Sequence, residues 1–316
     1  MIDRLTFARR PPVRRLACVA AICAALIVAG PVTAQERYQT PDAAVTALVT
    51  AAKAADRDAV LRVLGPGSAE IASSGDPVAD AATRKRFIEA YDAKHDLKVD
   101  GADKATLLVG AKSWPFPIPL VRQDGQWRFD VAAGREEILL RRIGRNELSA
   151  IQAALAYVDA QQEYAEKDRE GYAQRIVSRS GKKDGLYWPA KEGEARSPLG
   201  ELAARASAEG YSPGQRRAPY HGYFYKILTR QGPNAGGGAM DYVVRGKMIG
   251  GFALVAYPAQ YKNSGVMTFL VNHQGQVFEK DLGPNTARLA AGMTAFDPDG
   301  TWRKVVDGGL PQAGAR

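Results

Sequence analysis

The sequence predicts an α+β protein, on three observations. Helical apolar spacing marks the first part of the chain, short strands joined by tight turns mark the last, and one long proline-free helix lies between them. The 316 residues suit two domains at roughly 150 residues each. The expected division is a leader over 1–34, an N-terminal α+β domain over 35–132, a long helix with an antiparallel sheet over 133–307, and a tail over 308–316. A composition of 46% hydrophobic and 24% charged residues excludes collagen-like, coiled-coil and disordered chains.

The leader reads as a signal peptide. Arg4, Arg9, Arg10, Arg14 and Arg15 form a basic start, and Leu16 to Gly30 is apolar throughout. That run is shorter than the roughly 20 residues a membrane-spanning helix needs. Pro31 breaks it, and Val32-Thr33-Ala34 places small residues before a cleavage site after Ala34. The expected location is therefore periplasmic or secreted, with no stable membrane span after cleavage. Cys18 and Cys23 are the only cysteines, so the mature chain would carry no disulfide, thiol nucleophile or cysteine-ligated metal. The net charge of +9 falls to +5 beyond Ala34, with 38 basic and 33 acidic residues. A charge so modest gives no reason to expect nucleic acid as a partner.

In the first domain, Thr40 before Pro41 is an N-cap with proline in the first helical turn. Ala44, Leu48, Val49 and Ala52 form the inward face, continued by Val60, Leu61 and Leu64 until Gly65-Pro66-Gly67. A second helix is expected from about Asp80 to Lys94, with Phe87, Ile88 and Tyr91 inward. Strands follow at Ala105–Val109, Pro117–Val121 and Trp127–Val131, the last two joined by the hairpin turn Asp124-Gly125. The long helix should run from about Arg135 to Asp168, with Leu148, Ile151, Leu155 and Val158 facing the later sheet and Gly144 as a possible kink. Its Arg141, Arg142 and Arg145 read as a solvated face, the alternative being a site for an anion or acidic partner.

Beyond Gly171, a short helix from Ser197 closes at Gly210. Strands are expected at Tyr220–Leu228, Asp241–Arg245, Met248–Tyr257, Val266–Asn272 and Gln276–Asp281. Links this short require an antiparallel meander. Gly236-Gly237-Gly238 reads as a flexible loop without the lysine of a phosphate cradle.

No catalytic motif emerges. His95, His221 and His273 are scattered, so no metal site or cofactor is expected. Asp297-Pro298-Asp299-Gly300 reads as a turn rather than a calcium loop. No serine stands in a nucleophile elbow. Two segments remain as candidate binding surfaces. Trp114-Pro-Phe-Pro-Ile-Pro119 must be extended, and its Trp114 and Phe116 either dock a partner or protect an edge strand. In Tyr220-His-Gly-Tyr-Phe-Tyr225, strand alternation puts His221, Tyr223 and Tyr225 on one face, suited to a flat or sugar-like ligand.

Several of these segments recur in fixed order with Arg141-Arg-Ile-Gly-Arg-Asn-Glu147, Asp159-Ala-Gln161, Asp184-Gly-Leu-Tyr-Trp-Pro189, Ser197-Pro-Leu-Gly200, Gly246-Lys-Met-Ile-Gly-Gly-Phe252 and Ser264-Gly-Val-Met-Thr-Phe269. Together they resemble the exported bacterial domain-of-unknown-function family 2950, over nearly all of the mature chain. That resemblance implies no activity and no catalytic residue. At the level of fold, the first domain is similar to cystatin-like cones of helix and curved sheet. The long helix with its meander is similar to a pilin head, but lacks the apolar half and cleavage site of one. The expected function is a non-enzymatic envelope role, binding another protein, a glycan or a small ligand. The alternatives are a periplasmic hydrolase with its site near His221, and an accessory of a secretion or pilus-like apparatus. Oligomeric state is not legible.

Overall fold

The computed structural model describes residues 35–167, 170–191, 193–212 and 218–305. The expected signal peptide, both cysteines and the 308–316 tail lie outside these residues. The protein is α+β, and its two hydrophobic cores lie within one compact unit.

The first core is built by helices Pro41–Lys53, Arg57–Leu64 and Pro77–Ala93 on an antiparallel sheet. Strand order in that sheet is 95–100, 104–109, 120–123 and 126–129. Thr40 caps as its sequence implied, its hydroxyl accepting from Ala43 N at 3.1 Å. The apolar run predicted through Leu64 is broken at Ala54–Asp56, where Ala55 takes a positive φ of 53° and Asp56 caps a new helix. The second helix starts at Pro77 rather than Asp80, because Asp76 is its N-cap and proline suits its first turn. Strand His95–Asp100 escaped the sequence reading. Five of its six residues are exposed, so it lacks the apolar alternation that reveals a strand. At Asp124-Gly125 both φ angles are positive (52° and 78°) and Gln123 pairs with Gln126, as a two-residue hairpin requires.

The helix between the sheets spans Val131–Glu166 without a break at Gly144, and starts earlier than expected because Asp130 caps it. It presses its first turn onto the first core. Gly134 allows this, since a Cβ there would collide with the Pro117 carbonyl. Val131 is buried and Ile138 packs beside it. Its later turns lie on strands 253–258, 267–272 and 277–281. Ile151 and Val158 are buried there and Leu155 packs against the same core, but Leu148 is 38% exposed. Alanines 150, 153, 154 and 160 replace it and bring the helix close.

The second sheet runs 303–304, 277–281, 267–272, 253–258 and 223–228, antiparallel throughout. Ala253–Ala256 are all buried, so both faces of that strand are covered. The long helix and helix Thr286–Gly292 are the coverings. One small pairing is parallel, Ala295–Phe296 beside Arg230–Gln231. The turn expected at Gly246-Lys247 falls one residue earlier, at Arg245-Gly246, where both φ angles are positive. Gly236–Gly238 is not a loose loop: the Gln231 side-chain amide donates to the carbonyls of Gly236 and Gly238 at 2.9 and 2.8 Å.

Candidate functional site

The site forms where a helix end, a hairpin turn and a helix start meet. Helix Gly200–Ala208 ends at Gly210, whose φ is +101°. Gly210 N donates to Ser207 O at 3.0 Å and Tyr211 N to Ala206 O at 2.8 Å. This is a Schellman ending, and it fixes the directions of Glu209 and Tyr211.

The turn follows at His221-Gly222. Tyr220 and Tyr223 exchange backbone hydrogen bonds at 2.9 and 3.1 Å, and His221 and Gly222 both take positive φ (48° and 75°). That is the pattern of a two-residue hairpin turn, so the strand begins at Tyr223 instead of Tyr220. The strand alternation expected for His221 fails for this reason. Glycine at 222 is also needed for space, since a Cβ would come within 2.6 Å of Asn146 Nδ2. Histidine is among the few side chains that tolerate the left-handed region.

Asp76 completes the junction. It is 1% exposed, yet all its acceptor positions are used. Its Oδ1 accepts from Val78 N and Ala79 N at 3.2 and 3.1 Å, capping the helix. Its Oδ2 accepts from the Tyr211 hydroxyl and from Gly222 N, each at 2.9 Å. The Tyr211 hydroxyl in turn accepts from His221 N at 3.3 Å.

Four rings gather above this carboxylate. Centroids lie 5.0 Å apart for Tyr211 and Tyr220, 4.2 Å for Tyr220 and His221, and 5.5 Å for Tyr211 and His221. Tyr225 joins at 6.4 Å from Tyr220 and sends its hydroxyl toward the Tyr220 carbonyl at 3.4 Å. All four residues are half-buried. Burial, and then the carboxylate of Asp76, pushes the Tyr211 phenol well up. Burial, and then Glu209, also raises the Tyr220 phenol. These phenols are neutral hydrogen-bonding groups at any ordinary pH. On the outer side, His221 Nε2 sits 3.1 Å from Glu209 Oε2.

Of the side chains singled out in the sequence, His221 and Tyr225 come together here. Tyr223 does not join them. It is fully buried, its hydroxyl donates to Met267 O at 2.9 Å, and its ring lies 5.9 Å from Phe269. Trp114 and Phe116 part as well. Trp114 is 57% exposed on a two-residue edge strand against Val109, while Phe116 packs between Phe87 and Phe129 at 5.3 and 6.2 Å. Sequence reasoning missed Asp76, Glu209 and Tyr211, which adjoin readable signals: the Pro77 helix start and the Gly210 helix end. Among the described residues no group of three or more histidine, cysteine or acidic side chains is placed to hold a metal ion. No described helix is long and apolar enough to cross a membrane.

Two cores joined through a buried aspartate, with an aromatic cluster over the joint on a helix–hairpin junction, define an α+β protein. The chain belongs to the family described as "Protein of unknown function (DUF2950)", whose model matches residues 35–305. Neither a curated protein nor a solved structure matches it.

Proposed function

We propose that the protein is exported, is cleaved after Ala34, and acts in the envelope by binding rather than by catalysis. Its ligand surface in this reading is the Tyr211–Tyr220–His221–Tyr225 cluster, and the ligand class is a glycan whose sugar faces stack on the rings. The observation that carries it is the ring cluster itself, with Tyr220 4.2 Å from His221 and 5.0 Å from Tyr211, and among the described residues the serine beside the turn is no free nucleophile. Ser264, the serine packed against Gly222, is fully buried, and its hydroxyl is engaged with Gln260 N and O at 2.9 and 3.2 Å. Export is supported by Gln35, whose side-chain amide donates to the carbonyls of Val63, Leu64 and Phe129. The folded chain is thus anchored at the residue that cleavage would expose.

The test is retention of the purified protein on insoluble envelope polysaccharide. Tyr220→Ala and His221→Ala should lose retention while keeping the parent circular dichroism. Equal retention by parent and variants would remove the cluster from any binding role.

A second reading is favoured by one distance, the 3.1 Å between His221 and Glu209. A carboxylate can orient an imidazole as a general base toward water, which makes a hydrolase the alternative. Glu209→Gln separates the two: it should leave glycan retention intact if the cluster binds, and abolish release of soluble sugar if the pair catalyses.

A further inference from the structure

Strand His95–Asp100 is the outer strand of the first sheet, and among the described residues it has a strand partner on one side only. The helix before it is equally uncovered. Helix Pro41–Lys53 buries six of its thirteen residues, whereas Pro77–Ala93, with seventeen, buries none. From Pro77 through Lys104 not one residue is buried.

The direction of the strand's backbone groups follows from its neighbour. Gly110 N donates to Lys94 O at 2.8 Å, which makes that pair a hydrogen-bonded one. Bonded and non-bonded pairs alternate along an antiparallel ladder. In the observed register, His95 opposite Val109, Leu97 opposite Leu107 and Val99 opposite Ala105 are therefore the non-bonded pairs. The N–H and C=O groups of His95, Leu97 and Val99 point outward. Leu97 N behaves as an outward donor, reaching the side chain of its own neighbour, Asp96 Oδ1, at 2.8 Å. Side chains alternate as well, with Asp96, Lys98 and Asp100 on one face and His95, Leu97 and Val99 on the other. Leu97 packs partly on the first core, Val99 is 55% exposed, and the His95 ring stacks on Tyr91 at 3.8 Å.

We propose that this strand pairs antiparallel with the same strand of a second copy of the chain, about a two-fold axis through Leu97. Opposite residues in such a pair share a face, so the axis must pass through a residue. With the axis at Leu97, Asp96 lies opposite Lys98 of the second copy, on both sides of the axis, and opposite charges meet across the seam. Leu97 meets its own counterpart, and Val99 lies against the His95 of the second copy. The outward groups of His95, Leu97 and Val99 then find partners. With the axis at Lys98, lysine would face lysine and Asp96 would face Asp100, which is repulsive. With the axis at Val99, Leu97 would run against Gly101, which turns out of the strand at φ +72°. Lys98 is free to make the exchange, because its 3.4 Å contact with Asp100 is an exposed pair of little worth. The pairing does not depend on what the aromatic cluster binds.

The test is sedimentation equilibrium of the purified protein, expressed from its full sequence, which should show a concentration-dependent dimer. Asp96→Lys sets base against base across the seam, and Lys98→Glu sets acid against acid. Each should raise the dissociation constant about tenfold or more while keeping the parent circular dichroism, since both side chains are exposed. Mixed in equal amounts, the two variants should associate again, because every cross-strand position then pairs a base with an acid. A contact elsewhere would not respond to either change, and a folding defect would not be repaired by mixing. Oxidation of Leu97→Cys should also link two copies at position 97, where opposite Cα atoms of a bonded pair lie about 5.5 Å apart. A parent dimer untouched by both single changes, or variants that stay apart on mixing, overturns the proposal. So does a parent that keeps the mass of one chain up to about 1 mM, which would leave the edge to a strand of a different protein.

Discussion

The carboxylate of Asp76 and the backbone N–H of Gly222 are 2.9 Å apart although 146 positions separate them in the chain. One oxygen of Asp76 caps a helix of the first core and the other holds a hairpin turn of the second, so a single side chain bonds to both. The rings over the turn owe their placement to it. Whatever binds there depends on a residue it need not touch.

Asp76→Ala should therefore destabilise more than a lost cap. Cap removal alone costs about 0.5–2 kcal/mol, and leaving the Gly222 N–H without its charged acceptor adds roughly 1–3 kcal/mol. Urea denaturation should show the sum, with Asp76→Asn in between. A change within about 0.5 kcal/mol for Asp76→Ala, the range of an ordinary surface site, would show the junction to be incidental.

The long helix gives a graded series. Ile151→Ala, at 6% exposure, should cost about 2–5 kcal/mol. Leu155→Ala should cost less, since that side chain is only partly buried, and Leu148→Ala a few tenths. Equal costs at positions 148 and 151 would contradict the packing.

This series marks how far the sequence could be read. Leu148, Ile151, Leu155 and Val158 have helical spacing, and spacing tells which face is apolar. It does not tell that alanines 150, 153 and 154 are buried while Leu148 stays outside. Asp124-Gly125, Thr40-Pro41 and Gly210 were legible because their chemistry is local. The junction was not, because Asp76, Tyr211 and Gly222 are brought together by tertiary structure alone. Within Tyr220–Tyr225 the geometry departs from strand alternation. A glycine that looked like one more strand residue is a turn position, and this rotated His221 away from Tyr223. Gln161 is similar: fully buried, it pairs through both amide atoms with the backbone of Ala173, a contact with no pattern in sequence.

His273 should make stability depend on pH. Its Nδ1 is buried with no hydrogen-bond partner among the described residues, and burial lowers its pKa from the ordinary 6.5. Between the folded and unfolded values the unfolded chain holds the proton and the folded chain does not, so stability rises with pH in that window. The contribution is complete above the unfolded value and lost as pH falls through the folded one. Denaturation midpoints measured from about pH 7.5 down to about pH 5 should decline less steeply in His273→Asn than in the parent. Parallel declines would place the dependence elsewhere.

Gly265 should tolerate no side chain. A Cβ there would collide with the hydroxyl of Tyr223, which is buried and bonded to Met267 O. Gly265→Ala should lower the yield of soluble protein sharply, and Gly265→Ala with Tyr223→Leu should recover part of it, because the hydroxyl and the ring carbons behind it, 2.6 and 2.7 Å from the Cβ, are gone. No recovery in the double variant would trace the defect to the backbone of the 260–265 loop.

Arg142 and Arg145, three positions apart on one helix, should behave in opposite ways. Arg142 joins the first core to the 260–264 loop: it holds the carbonyls of Glu70 and Ile71 and the side chain of Asn263, whose amide nitrogen donates onward to Ser73 O at 2.9 Å. Removing it leaves partly buried acceptors unmet, at about 1–3 kcal/mol in the usual case. A lysine cannot restore the fork, because an ammonium lacks the two planar edges that reach separate carbonyls. Arg142→Ala and Arg142→Lys should thus both destabilise, while Arg145→Gln should not. Hydrogen exchange gives the sharper reading. In the Arg142 variants protection should fall together at 70–73 and at 260–264, two segments far apart in sequence and bridged by this guanidinium. If only the helix turn around position 142 loses protection, the guanidinium acts locally and the loop is held without it, by Asn146 and Glu147 through Ser264 O, Val266 N and Met267 N and by Asn263 through Ser73 O.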